Sequence, residues 1–148
     1  MKPRYSTLLN RSVPPREDAV AKAIARNYGW TITPCGDTAL NMLGLSTQIP
    51  AVWLYVSDGP YKTYETEGIK FQFKHTDRKN ELIGVSETTA LIIQALRALR
   101  KENIDAQTIS YLSGRMNEKE KRQVLQESRY VTAWIYEAIK KICGGLEA

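Results

Sequence analysis

Hydrophobic and polar positions along this chain change period twice, and the changes divide it into helix, strand and helix again. Val20, Ile24 and Tyr28 recur every four residues, which puts them on one side of a helix over 16–28 with Gly29 as its stop. Pro14 and Pro15 preset the backbone just ahead of Glu17 and Asp18, two acids at the positive end of the helix dipole. The Trp-Thr-Ile-Thr stretch at 30–33 alternates and carries β-branched residues, predicting a short strand halted by Pro34. Gly36 and Asp37 open a small helix with Asp37 as N-cap, Ala39, Leu40 and Leu43 turned inward and Gly44 closing it. A polar loop over 46–50 follows, and Pro50 fixes the entry to the next strand.

The period then drops to two. Residues 51–57 read as a buried strand ended by Asp58-Gly59-Pro60, 61–66 as a second, Glu67-Gly68 as a tight turn and 69–74 as a third. In the third strand Ile69, Phe71 and Phe73 point one way while Lys70, Gln72 and Lys74 point the other, so an antiparallel meander with one wet, basic face is the economical arrangement. Past residue 80 the chain turns helical and stays so. Ser86 caps a helix whose stripe is Leu91, Ile92, Ala95, Leu96 and Leu99, and Asp105 opens a shorter one that reaches Gly114. Asn117 and Glu120 have the spacing of a capping box ahead of a charged helix that has only Val124 and Leu125 to bury. Trp134, Ile135, Ala138, Ile139 and Ile142 form the last stripe, stopped by Gly144-Gly145. The expectation is an α+β fold, a small mostly antiparallel sheet flanked by an N-terminal helix and a C-terminal group of about four helices. Residues 1–13 show neither period and read as a linker or arm; 14–148 form one domain.

Composition narrows the function classes. A chain of 148 residues buries a core without disulfides or metal, and Cys35 and Cys143, far apart and without metal-ligand spacing, read as reduced thiols in a cytoplasmic protein. No apolar run is long enough to cross a bilayer. The net charge of +5 is compatible with a polyanionic partner, DNA or RNA, and equally with a basic soluble surface. No cofactor or metal is implied.

The densest basic cluster, Lys70, Lys74, His75, Arg78 and Lys79, lies at the end of the third strand with Tyr61 and Tyr64 on its neighbour. Such a mix contacts phosphates and stacks on bases, or it is a solvated sheet face. His75, the single histidine, has Asp77 as its sequence-local carboxylate; the surrounding cations predict a neutral ring that hydrogen-bonds to backbone rather than a general base. Asp58 and Glu65 are the acids of the strand region, and their spacing matches no nuclease-like set. Cys35 precedes a helix start where a thiolate would be stabilised, but a small buried residue is the better account, and Trp30, Trp53 and Trp134 read as core.

Pro34-Cys35-Gly36 with Ala39, the block Asn41-Met42-Leu43-Gly44-Leu45-Ser46-Thr47-Gln48-Ile49-Pro50, then Asp58-Gly59-Pro60 and Phe73-Lys74-His75 resemble the C-terminal domain of AbiEi-type antitoxins, transcriptional regulators of abortive-infection toxin–antitoxin operons. Gln94-Ala95-Leu96-Arg97, and Arg129-Tyr130 with Trp134, look like the helical end of the same family. The resemblance implies motif positions at Gly36, Ala39, Leu43, Gly44, Ser46, Thr47, Gln48, Pro50, Asp58 and Gly59. It also implies a DNA-binding winged helix ahead of this domain, with Lys2-Pro3-Arg4-Tyr5-Ser6 as its exit. The implied function is that of a non-enzymatic bacterial antitoxin that represses its operon and neutralises a cognate nucleotidyltransferase-like toxin, often without a stable complex. The rivals are a nuclease- or nucleotidyltransferase-like enzyme using Asp58, Glu65 and Lys74, and a plain protein-interaction module that pairs through its last helices.

Overall fold

A computed structural model describes residues 16–144, so the expected arm over 1–13 and the Pro14-Pro15 helix start lie outside the described residues. Among the described residues six α-helices and a four-stranded mixed sheet make an α+β fold: α1 (Arg16–Tyr28), β1 (Ile32–Pro34), α2 (Gly36–Met42), β2 (Val52–Ser57), β3 (Lys62–Thr66), β4 (Ile69–His75), α3 (Glu87–Leu99), α4 (Ala106–Gly114), α5 (Glu118–Glu127) and α6 (Ala133–Ile142). Local rules set most boundaries. The Ser86 hydroxyl accepts from the Thr89 amide at the start of α3, Asp105 does the same for Thr108 at α4, and Asn117 and Glu120 form both halves of the capping box on α5.

The sheet order is β1-β2-β4-β3. β1 and β2 pair antiparallel, as do β3 and β4, but β2 and β4 run parallel from Val52↔Lys70 to Ser57↔His75. The antiparallel share is therefore as expected while the meander order is not. Glu67 and Gly68, both at positive φ (52° and 77°), close a two-residue hairpin between β3 and β4, and this hairpin lays β4 rather than β3 against β2. Residues of β3 are mostly half-buried or exposed, whereas β2 and β4 each carry two fully or nearly fully buried aromatic rings. Burial favours the central place for β4.

Two apolar clusters result. One is aromatic: Trp53, Tyr55, Phe71 and Phe73 from the sheet pack on Ala21 of α1, with Val20, Ile24, Trp30, Ile32, Tyr64 and Ile69 around them. Within it the Tyr55 hydroxyl donates to the buried Asp18 carboxylate at 2.8 Å, which fixes α1 to β2. Burial, and then Asp18 beside it, push the Tyr55 phenol far up. The other cluster is aliphatic and collects α2 to α6 around Leu43, Ile92, Leu96, Leu112, Leu125, Ile135 and Ile139. Arg97 of α3 donates to the buried Glu81 carboxylate and, at 2.9 Å, to the Thr132 hydroxyl, tying the short turn after β4 to the start of α6. Of the three tryptophans only Trp53 is fully in the core; Trp30 and Trp134 are half-buried at the edges of the two clusters.

Candidate functional site

β4 has two faces with opposite chemistry. Phe71 and Phe73 are fully buried, and the alternate residues Lys70 and Lys74 are exposed. The parallel register sets Val52, Leu54 and Val56 of β2, all half-buried, beside Lys70, Gln72 and Lys74, so the outer face is an aliphatic strip edged by cations. On the other side Thr63 and Glu65 of β3 stand opposite Gln72 and Lys70. Tyr61, 60 % exposed, accepts a hydrogen bond from the Gln72 amide and belongs to this face. Tyr64 does not. It pairs with Phe71 and joins the aromatic cluster under the sheet, which removes it from the expected base-stacking surface. The two-residue turn dictates this register: Thr66 faces Ile69, so Tyr64 shares the side of Phe71. The apolar run 51–57 concealed the strip on β2, because its large rings, Trp53 and Tyr55, alternate with the aliphatics that reach the open side.

His75 ends β4 between two acceptors. Its Nδ1 lies 2.9 Å from the Gly59 carbonyl and its Nε2 2.9 Å from Asp77 Oδ1. A neutral ring donates to one of these and an imidazolium to both. The pKa is accordingly raised, first by the Gly59 carbonyl and then by the Asp77 carboxylate, with Lys79 only a small opposing influence. The expected hydrogen bond to backbone is present, while the expected influence of the cationic neighbours is outweighed, because direct hydrogen bonds count for more than charges spread through solvent. Both ring nitrogens are engaged within the chain, so His75 organises the site rather than offering a free donor.

The loop that His75 holds is also tied by its own hydrogen bonds. The Ser57 hydroxyl accepts from the Gly59 amide (2.8 Å), Asp58 Oδ1 accepts from the Thr31 amide (2.9 Å), and a Cβ on Gly59 would collide with the Trp30 indole nitrogen. Asp58 is thereby a structural acceptor. Glu65 pairs in register with Lys70 at the opposite end of β4, so the sheet separates Asp58 and Glu65 instead of converging them. Among the described residues there is no group of three or more His, Cys, Asp and Glu side chains able to hold a metal ion.

Arg78 and Lys79 follow in the turn after β4, both exposed. Lys70, Lys74, Arg78 and Lys79 make no ion pair among the described residues. Four exposed cations therefore lie on one strand and its exit turn, with Glu65 across from Lys70 but in no ion pair with it, which makes the segment predominantly positive.

The motif block from Gly36 to Pro50 is architecture beside this surface. Cys35, not Asp37, is the N-cap of α2, because its amide bonds the Leu54 carbonyl and keeps it extended, so the helix begins two residues early and Asp37 falls in the first turn. Gly36, at φ +55°, leaves no room for a Cβ beside Leu54. Ala39 and Leu43 are fully buried, and the Leu43 carbonyl accepts from the Tyr111 hydroxyl at 2.9 Å, directly over Gly44. The Ser46 hydroxyl accepts from the Gln48 amide, and the Gln48 carbonyl accepts from Asn41. Thr47 and Gln48 are exposed and Pro50 is half-buried. Burial pushes the Cys35 thiol up to about 11, against the stabilised thiolate that a helix start would give.

A protein-family model matches residues 1–125, and that family is described as a family of unknown function, DUF6088. No curated protein and no solved structure matches the chain.

Proposed function

The chain belongs to the DUF6088 family of unknown function, and from its own geometry we propose that it is a non-enzymatic regulator domain that contacts nucleic acid through Lys70, Lys74, Arg78 and Lys79. The observation that carries the proposal is the set of four exposed cations that form no ion pair among the described residues, held on a central strand and the turn that follows it. His75 supports the set by tying the strand end to the Gly59 loop and to Asp77. The likeness of the Gly36-to-Pro50 block and of Phe73-Lys74-His75 to AbiEi-type antitoxins supports a role in a bacterial toxin–antitoxin operon, in the cytoplasm, with a nucleotidyltransferase-like toxin as the activity opposed. Among the described residues no helix is long and apolar enough to cross a membrane.

The test is a salt titration of binding to duplex DNA, read by fluorescence anisotropy. The slope of log K against log salt should be negative, and in the Lys70→Ala, Lys74→Ala, Arg78→Ala variant it should flatten by about 0.9 for each phosphate no longer neutralised. Affinity indifferent to salt, or identical in the variant, would remove this surface from the function.

A further inference from the structure

A second basic feature lies on the helical side, outside the surface just described. The outer side of α5 and the exposed Gly84 border an open concavity of about 550 Å³, with Arg122, Gln126, Arg129 and Tyr130 on its walls. Val124 and Leu125 turn inward, so Arg122, Gln123 and Gln126 share the side of α5 that faces water. Tyr130, in the turn after α5, is 79 % exposed, and the Arg129 guanidinium stands 5.0 Å from its ring centre. Arg129 has no carboxylate partner among the described residues, and Arg122 holds only the exposed Glu118, at 2.7 Å. Such a surface pair is readily exchanged for a phosphate. The one carboxylate on the wall is already used. Glu127 Oε1 accepts from the Ser86 amide and the Thr89 hydroxyl, and its Oε2 accepts from Gln123.

We propose that this concavity is a subsite for single-stranded nucleic acid, with one base stacked on Tyr130 and the flanking phosphates at Arg129 and Arg122. A planar ring left in water beside an unmatched guanidinium suits an unpaired base, whose face is open, and not a duplex, whose faces are closed by stacking. A strand has a continuous route to it. Asn80 donates to the Tyr130 carbonyl at 3.4 Å, which places the groove beside the turn that carries Arg78 and Lys79. For that continuity the proposal rests on the reading of β4 and its turn as a polyanion surface; the stacking contact does not depend on it.

Labelled oligothymidylate and oligouridylate of about 12 nucleotides, and a duplex of the same length, would be titrated by anisotropy into the full chain and its variants. Tyr130→Ala should weaken both single strands by about tenfold and leave the duplex within about twofold, while Tyr130→Phe keeps wild-type binding. The subsite is overturned if the wild-type chain binds neither single strand, if Tyr130→Ala binds them normally, or if the duplex loses as much. The Lys70→Ala, Lys74→Ala, Arg78→Ala variant run alongside separates the two readings. Normal duplex binding by that variant sinks the β4 surface without touching the groove, and normal single-strand binding by Tyr130→Ala sinks the groove without touching β4.

Discussion

The two faces of β4 differ by a single residue step and by everything else. Phe71 and Phe73 are sealed between the sheet and α1, where each ring contributes about 1.5–3 kcal/mol by leaving water. Lys70 and Lys74 contribute nothing comparable, and their neighbours Arg78 and Lys79 add repulsion of the same sign. A fold gains little from four cations on adjoining segments that form no ion pair among the described residues. What the contrast teaches is where to separate stability from binding in this chain: by alternate residues of one strand.

The largest test of that separation is Phe73→Ala, which removes a ring flanked by Trp30, Tyr55 and Phe71 and leaves a cavity. It should cost about 3–5 kcal/mol, read as a lower urea midpoint at unchanged slope. A loss below about 1 kcal/mol would mean that the inner face is not the core it is taken to be.

His75 sits on the seam between the two faces, and its effect depends on pH. Its folded pKa lies above the ordinary 6.5, so the tether to both Gly59 and Asp77 is complete below that value, and one of its two hydrogen bonds is lost as pH rises through the folded pKa. Amide exchange at Gly59 should therefore be slow in mild acid and should quicken as the ring deprotonates, beyond the intrinsic rise with pH. In His75→Gln that extra step should vanish. An unchanged profile in the variant would show that the ring does not hold the loop.

The smallest expected effect is at Lys70→Ala with Lys74→Ala, within about 0.5 kcal/mol of wild-type stability. A larger loss would tie the outer face to the fold and collapse the contrast.

Features decided within a few residues were legible in the sequence. The capping box at Asn117 and Glu120 and the alternation of Phe71 and Phe73 with Lys70 and Lys74 need no knowledge of the rest of the chain. Features decided across the fold were not. The start of α2 depends on the Leu54 carbonyl, the protonation of His75 on the Gly59 carbonyl, and the place of β4 on a parallel pairing that skips β3. The side taken by Tyr64 was accessible, since a two-residue turn at Glu67-Gly68 fixes which β3 residues share the side of Phe71. Lys70, Lys74, Arg78 and Lys79 could be found as a cluster from their spacing, but that none has a carboxylate partner among the described residues is information that only three dimensions hold.

The strand order has one more consequence, for the chain as it is being made. β2 leaves the ribosome before β3, yet the strand that lies between them in the finished sheet is β4, and on its other side β2 pairs with the three-residue β1. A nascent chain that has reached Gly68 thus carries Trp53 and Tyr55 on a strand with one long edge still unpaired, the kind of edge that invites pairing with another chain. The Glu67-Gly68 hairpin ends that exposure as soon as β4 emerges. The strand that bears Lys70 and Lys74 is also the one that closes the sheet, so these two cations take their places on a common face only when the sheet behind them is complete.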